Sequence, residues 1–243
     1  MVDPRPGFYG KVTSHGDFVA RRLAPSFQQG WDAWLQSGMQ HSRKTLAERW
    51  VATWLSSPIW RFALARGVCG DNAWVGLMMP SVDRVGRHFP LTLAACIDGQ
   101  QSLLDCASLH DDWFKDLEEL ALSSLGVGFS LDAFDTALCN LGPPDKCGAA
   151  NAANATGGTQ SGAVIALDPA KELHEQLAAP SVGLMKAVAG AALHDHSLWW
   201  TDGSPQIAPC MLVCSGMPVA GAFVALLDGT WGEHGWVSGR GNS

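Results

Sequence analysis

Residues 74–95, WVGLMMPSVDRVGRHFPLTLAA, constrain the fold more tightly than any other stretch. Two apolar runs, 74–79 and 90–95, each have the length of a strand. The connector between them holds Pro80, Ser81, Asp83, Arg84, Gly86, Arg87, His88 and Pro90. Strands joined through so short a loop pair antiparallel. The loop also carries the densest charge in an apolar neighbourhood. Sites tend to be built on loops held by a rigid scaffold, so the rest of the chain is expected to be organised around this one.

The flanking sequence supports a sheet. Residues 60–65, WRFALA, alternate weakly and read as a strand, and Gly70-Asp71-Asn72 is a turn, which completes an antiparallel meander. Residues 7–12 read as a further strand. Thr13, Ser14, His15, Gly16 and Asp17 then form a turn whose side chains bond to backbone groups. Ser14 and Asp17 either close that turn or cap a helix starting near Asp17. A helix is expected over 26–40, with Ser26 and Gln29 as a capping box and Trp31, Trp34, Leu35 and Met39 on one face. A second helix is expected over 44–55, carrying Leu46, Trp50 and Trp54 and ending before Pro58.

Ser102 and Asp105 suggest another capping box, opening a long helix to about residue 125. Its apolar stripe is Trp113, Leu117, Leu120 and Leu125; Asp111, Asp112, Lys115, Glu118 and Glu119 form a solvated face. Ser130 caps a shorter helix to 141, with Leu131, Phe134 and Leu138 inward. Residues 142–162 are rich in Gly, Ala and Asn and read as a flexible loop. A strand at 163–167 follows, then a helix from Pro169 that breaks near Pro180 and resumes to about 194. Residues 197–200 and 209–214 form a hairpin, 217–227 a short helix, and the tail beyond Gly232 is expected to fray. Strands cluster at 60–97 and 163–214, with helices between and before. The pattern is α+β, with a largely antiparallel sheet.

Composition narrows the function classes. At 47% hydrophobic and 16% charged the chain has ample apolar residues for a core. A net charge of −7 disfavours nucleic acid and anionic membranes as partners, because both are bound through excess Lys and Arg. The N-terminal MVDPRPGFYGKV has no apolar h-region, so no secretory signal is expected. Residues 203–227 lack charge and are long enough to span a bilayer. Pro205, Pro209, Gly216, Pro218 and Gly221 interrupt them, which favours a buried strand, turn and helix over membrane insertion.

Seven irregularly spaced cysteines without an export signal read as reduced thiols. Cys210 and Cys214, with His194 and His196 nearby, depart from zinc spacing and read as part of a buried apolar run. No metal and no cofactor is expected. Eleven tryptophans stand against one tyrosine, five of them (Trp31, Trp34, Trp50, Trp54 and Trp60) in the first quarter. Most are expected in the core, and one or two at a partner surface.

Ser14, His15 and Asp17 invite a hydrolase reading, since a nucleophilic serine needs a base within reach and an orienting acid. Three such residues in one turn rarely converge, and no G-x-S-x-G elbow is present, so turn closure is preferred. Asp83, Arg84 and Arg87 have three readings. They form an internal ion pair, Asp83 and Arg87 being four apart; they clamp an anion; or they anchor a protein partner. There is no P-loop and no G-x-G-x-x-G after a strand, which disfavours nucleotide binding.

The blocks GFYGKVTSHGDFV at 7–19, WDAWLQ at 31–36, SSPIWRFAL at 56–64 and GLMMPSVDRVGRHFPL at 76–91 together resemble the type VI secretion-associated TagF/ImpM family. HSLWWTDG at 196–203 and MPVAGAFVALL at 217–227 extend the match. The resemblance implies an α/β/α sandwich, with the central sheet flanked by helices, as one domain over 1–243. It further implies a cytoplasmic accessory protein without enzymatic activity, which represses the secretion system post-translationally by acting with a forkhead-associated scaffold protein. The binding surface is then expected at Ser14, Asp17, Ser81, Asp83, Arg84 and Arg87. The alternative is a hydrolase or phosphate-handling enzyme using Ser14, His15, Asp17 and Arg84. Oligomeric state stays open.

Overall fold

Strands from both halves of the chain meet in one sheet. The computed structural model describes residues 3–97, 103–144, 163–166, 169, 171–172 and 195–238. The strands are β1 (Gly7–Gly10), β2 (Val19–Arg21), β3 (Trp60–Leu64), β4 (Ala73–Met79), β5 (Leu91–Ile97), β6 (Ala163–Ala166), β7 (His196–Thr201), β8 (Cys210–Ser215) and β9 (Val237–Ser238). Their order across the sheet is β2-β1-β5-β4-β3-β7-β8-β6-β9. All neighbours are antiparallel except β6 and β9. The expected meander is β3-β4-β5, with Leu77 opposite both Arg61 and Leu93.

Period-two alternation gives the sheet two buried faces. Trp60, Phe62 and Leu64 of β3 face one helical layer, while Ala63 packs in the other core. The first layer holds α1 (Pro25–Leu46), α2 (Trp50–Ser56), α6 (Ala220–Phe223) and α7 (Ala225–Asp228). The second holds α3 (Leu103–Leu109), α4 (Asp111–Ser123) and α5 (Leu131–Leu141). The architecture is the expected α/β/α sandwich on a largely antiparallel sheet. Nine of the eleven tryptophans are buried, and Trp34 and Trp231 are half-buried. The uncharged segment folds as the rim of β7, then β8, then α6 and α7. No helix among the described residues is long and apolar enough to cross a membrane.

Local expectations change in several places. No helix starts near Asp17; that stretch leads into β2, which pairs with β1 through Phe8 and Arg21. α1 begins at Pro25, with Ala24 as an N-cap lacking a side-chain bond, so Ser26 and Gln29 lie inside the helix and form no capping box. Proline at the first helical position needs no donor and supplies the right φ. α1 also runs on to Leu46, and the break before α2 falls at Ala47, where φ is +46°. The long helix expected to 125 divides at His110 into α3 and α4. Leu125 is exposed, not part of the apolar stripe. Ser130 does cap α5, accepting from the Ala133 amide at 3.3 Å. The chain beyond Gly232 returns to the sheet as β9, with Trp236 buried. Ser102, most of the 142–162 loop and most of the helix expected from Pro169 lie outside the described residues.

Candidate functional site

Asp83 organises the connector between β4 and β5. Its side chain is fully buried and accepts from Lys11 Nζ at 2.5 Å and from Arg87 Nε at 2.7 Å. Its other oxygen accepts from the amides of Val85 at 3.0 Å and Arg87 at 2.8 Å. The Asp83 amide donates to the Arg87 carbonyl, and Gly86, at φ +86°, lets the chain reverse. A bridge between Val82 and His88 and a bond from the Phe89 amide to the Ser81 carbonyl close the loop below. Burial alone would raise the Asp83 pKa. The Lys11 and Arg87 bonds and the two amides outweigh it and hold the carboxyl well below the usual carboxylate range.

This loop is clamped to the 13–17 turn. The Arg84 amide donates to the His15 carbonyl at 3.0 Å, and the Arg87 guanidinium donates to the Gly16 carbonyl. Ser81 Oγ donates to the Lys11 carbonyl at 2.8 Å, and Trp54 Nε1 to the Ser81 carbonyl at 3.3 Å. On the opposite side Thr13 Oγ1 donates to the Ser124 carbonyl at the end of α4. Phe18 roofs the buried ammonium: Lys11 Nζ lies 4.8 Å from its ring centroid. Phe18 also stacks on Tyr9 and meets Phe89 edge-on, yet remains 46% exposed.

The six expected site residues therefore separate. Ser81 and Asp83 are buried and structural in their contacts. Arg87 is exposed along its length but pinned at its head to Asp83 and Gly16. Arg84 is exposed, and its guanidinium makes no hydrogen bond or ion pair with a described residue. Asp17 is exposed, and its side chain makes no hydrogen bond or ion pair with a described residue. Ser14 Oγ lies 2.8 Å from His15 Nδ1, closer than three residues in one turn were expected to come. Among the described residues no acid completes the pair; Asp17 makes no bond to the ring.

Two features escaped the sequence reading. One is Lys11, whose partner lies seventy-two positions away; a lysine ending an apolar strand was the available signal. The other is Arg61, buried in β3 and bonded to Glu118 at 2.6 Å and Asp202 at 2.8 Å, with Asp111 at 3.7 Å. Burial works against its charge, but Glu118, Asp202 and Asp111 keep it firmly protonated. Asp111 and Glu118 thus turn inward from the face expected to be solvated. Lys11 ties the end of β1 to the β4–β5 connector, and Arg61 ties the sheet to the α4 layer.

Among the described residues no cluster of His, Cys, Asp and Glu could hold a metal. Cys210 and Cys214 lie in β8, where burial pushes both thiols up to about 12. Cys214 Sγ sits 3.0 Å from Ser197 Oγ. His194 lies outside the described residues.

Fold and site together define a three-layer α+β protein with a preformed polar surface at one end of its sheet. The family model for the TagF N-terminal domain, type VI secretion system-associated, matches residues 7–141. The crystal structure of PA0076 from Pseudomonas aeruginosa PAO1 matches at a TM-score of 0.72 and 36% identity, covering 92% of this chain and 94% of that one. No curated protein matches. The chain belongs to the TagF family of type VI secretion system-associated proteins.

Proposed function

We propose that this chain is a cytoplasmic regulator, acting as one domain without catalysis. It represses a type VI secretion system post-translationally by binding a forkhead-associated scaffold protein. The contact surface combines the 13–17 turn with the 80–88 loop. The observation that carries this reading is the division of labour around Asp83. A buried, fully bonded carboxylate fixes the loop, and Arg84 and Phe18 are left exposed on a rigid base. Preorganised, exposed Arg and aromatic side chains are what an interface anchor requires. The family's secretion-associated description supports the setting.

Charge reversal of Arg84 tests the surface cleanly, because its side chain makes no hydrogen bond or ion pair with a described residue. Arg84→Glu is expected to lose capture of the purified scaffold protein while keeping the wild-type melting temperature. Undiminished capture would overturn the proposed surface. Reversing Arg87 is less informative, since that residue also holds Asp83.

One observation favours the enzyme reading: the 2.8 Å approach of Ser14 Oγ to His15 Nδ1. A serine activated for attack needs its base oriented by a further group. Here the adjacent residue supplies Nδ1, and Asp17 is turned to solvent. Ser14→Ala is therefore expected to leave hydrolysis of p-nitrophenyl acetate and p-nitrophenyl phosphate at the level of the wild type. A serine-dependent turnover would reverse the assignment.

A further inference from the structure

The exposed apolar side chains are unevenly placed. Of nine large ones among the described residues, Phe18, Val85, Leu122, Leu125 and Val127 lie on just three segments. Those segments are bonded to one another: Thr13 to Ser124 on one side, Arg84 and Arg87 to His15 and Gly16 on the other. The belt crosses the sheet end from the α4 layer to the α2 layer. On the α2 side the Arg43 guanidinium stacks 4.4 Å over Trp50, and Trp50 meets His88 edge-on.

Charge is concentrated there too. Residues 11–18, 43–55, 80–88 and 122–130 contain Lys11, Arg43, Lys44, Arg49, Arg84 and Arg87 against Asp17, Glu48 and Asp83. Six cations face three acids, in a chain whose net charge is −7. Between Glu119 and Asp132 there is no charge at all, so the belt runs from an uncharged end of α4 on one side to the basic Arg43–Arg49 segment on the other. Lys11 and Asp83 cancel inside and Arg87 is held by Asp83, whereas Arg84 makes no ion pair with a described residue.

We infer that this belt is a docking surface for an acidic amphipathic segment of a protein partner. Its apolar side chains lie on Phe18, Val85 and Leu125, and its carboxylates meet Arg84 and the Arg43–Arg49 rim. A narrow acidic segment senses only the local cations, because screening confines each charge to roughly 8 Å at physiological salt. A bilayer presents a wide anionic plane that also meets the acidic remainder of the molecule, so a membrane is the poorer match. This inference rests on the proposed scaffold-binding surface and specifies what binds it.

The test uses the full chain and three probes. They are a fluorescein-labelled peptide of alternating Glu, Leu and Phe, the same peptide with Lys in place of Glu, and vesicles of anionic phospholipid. Thermal melts confirm that the variants fold. The acidic peptide is expected to bind, to weaken as salt rises, and to lose about tenfold in affinity with Arg84→Glu and again with the pair Val85→Asp and Leu125→Asp. The lysine peptide is expected not to bind. Equal binding of both peptides, no binding of the acidic one, or no loss in either variant overturns the inference. So does binding of vesicles without the peptide, or a wild-type dimer that the variants dissociate. Capture of the purified scaffold separates the two readings. Scaffold held equally by wild type and by Val85→Asp/Leu125→Asp sinks the docking surface and leaves the scaffold reading standing. Variant-sensitive peptide binding without scaffold capture sinks the scaffold reading alone.

Discussion

Asp83 accepts four hydrogen bonds and is surrounded by Lys11, Arg87 and two amides. Its folded pKa lies below the ordinary 3.8, so the native state keeps the charge where the unfolded chain takes up a proton. That linkage adds stability above about pH 4 and loses it as the pH falls further. Asp83→Asn is therefore expected to flatten the acid limb of melting temperature against pH. At neutral pH the same variant leaves the Lys11 ammonium buried and unpaired, a strongly destabilising state. Lys11→Met in the Asp83→Asn background should recover part of the loss, and a double-mutant cycle by thermal melting measures the coupling. Arg84→Glu, by contrast, should move the melting temperature by no more than about 2 °C. His88 works at higher pH: burial first, then Arg43, lower its pKa from 6.5, although Asp83 opposes them. Below about pH 6.5 the unfolded chain protonates this ring before the native state does, so stability falls. His88→Asn should lessen that fall between neutral pH and pH 5.5. At this scale the i, i+4 pair of Asp83 and Arg87 was legible, because its spacing is local. Lys11 was not, because only the sheet register brings it to Asp83.

α1 shows what periodicity can and cannot convey. The four-residue recurrence of aromatic and aliphatic side chains marked its buried face, and the face is used as read. Trp31 is wholly buried against Phe27, Phe62 and Trp199, and its Nε1 donates to Thr92 Oγ1 at 2.9 Å. Its end is not legible in the sequence, because Lys44 falls inside the helix and the break depends on the backbone of Ala47, which composition does not announce. The helix also carries Gly38 in mid-span, a residue that propensity alone would remove. A Cβ there would stand 2.5 Å from the Phe223 ring of α6. The glycine lets α1 and α6 approach closely. Gly38→Ala gains up to about 1 kcal/mol of helix propensity, yet overpacking a filled core costs about 1–3 kcal/mol. The expected outcome is net destabilisation in a urea titration, with recovery when Phe223→Leu vacates the ring. A stabilised Gly38→Ala would mean that the two helices are free to separate.

The sheet joins sequence that periodicity leaves unconnected. Hairpins and the meander were legible because their strands are neighbours along the chain. The pairing of β3 with β7, and of β6 with β9, joins distant segments and was not. The TagF match ends at residue 141, but the cores do not end there. β3 is central, with β4 on one side and β7 on the other, so removing everything after 144 would turn it into a sheet edge. An unpaired edge of five buried residues invites association with other chains. The same cut would uncover Trp31, Trp34 and Phe62, which pack on Trp199, and would empty the α6–α7 cover over Trp60, whose Nε1 donates to the Leu226 carbonyl. A fragment of residues 1–144 is therefore expected to aggregate, or to melt without a cooperative transition. The full chain should unfold in one transition, seen alike by tryptophan fluorescence and by calorimetry. A soluble 1–144 fragment with a sharp melt and native near-ultraviolet dichroism would instead make the matched region a self-sufficient domain, and the second half an appendage to it.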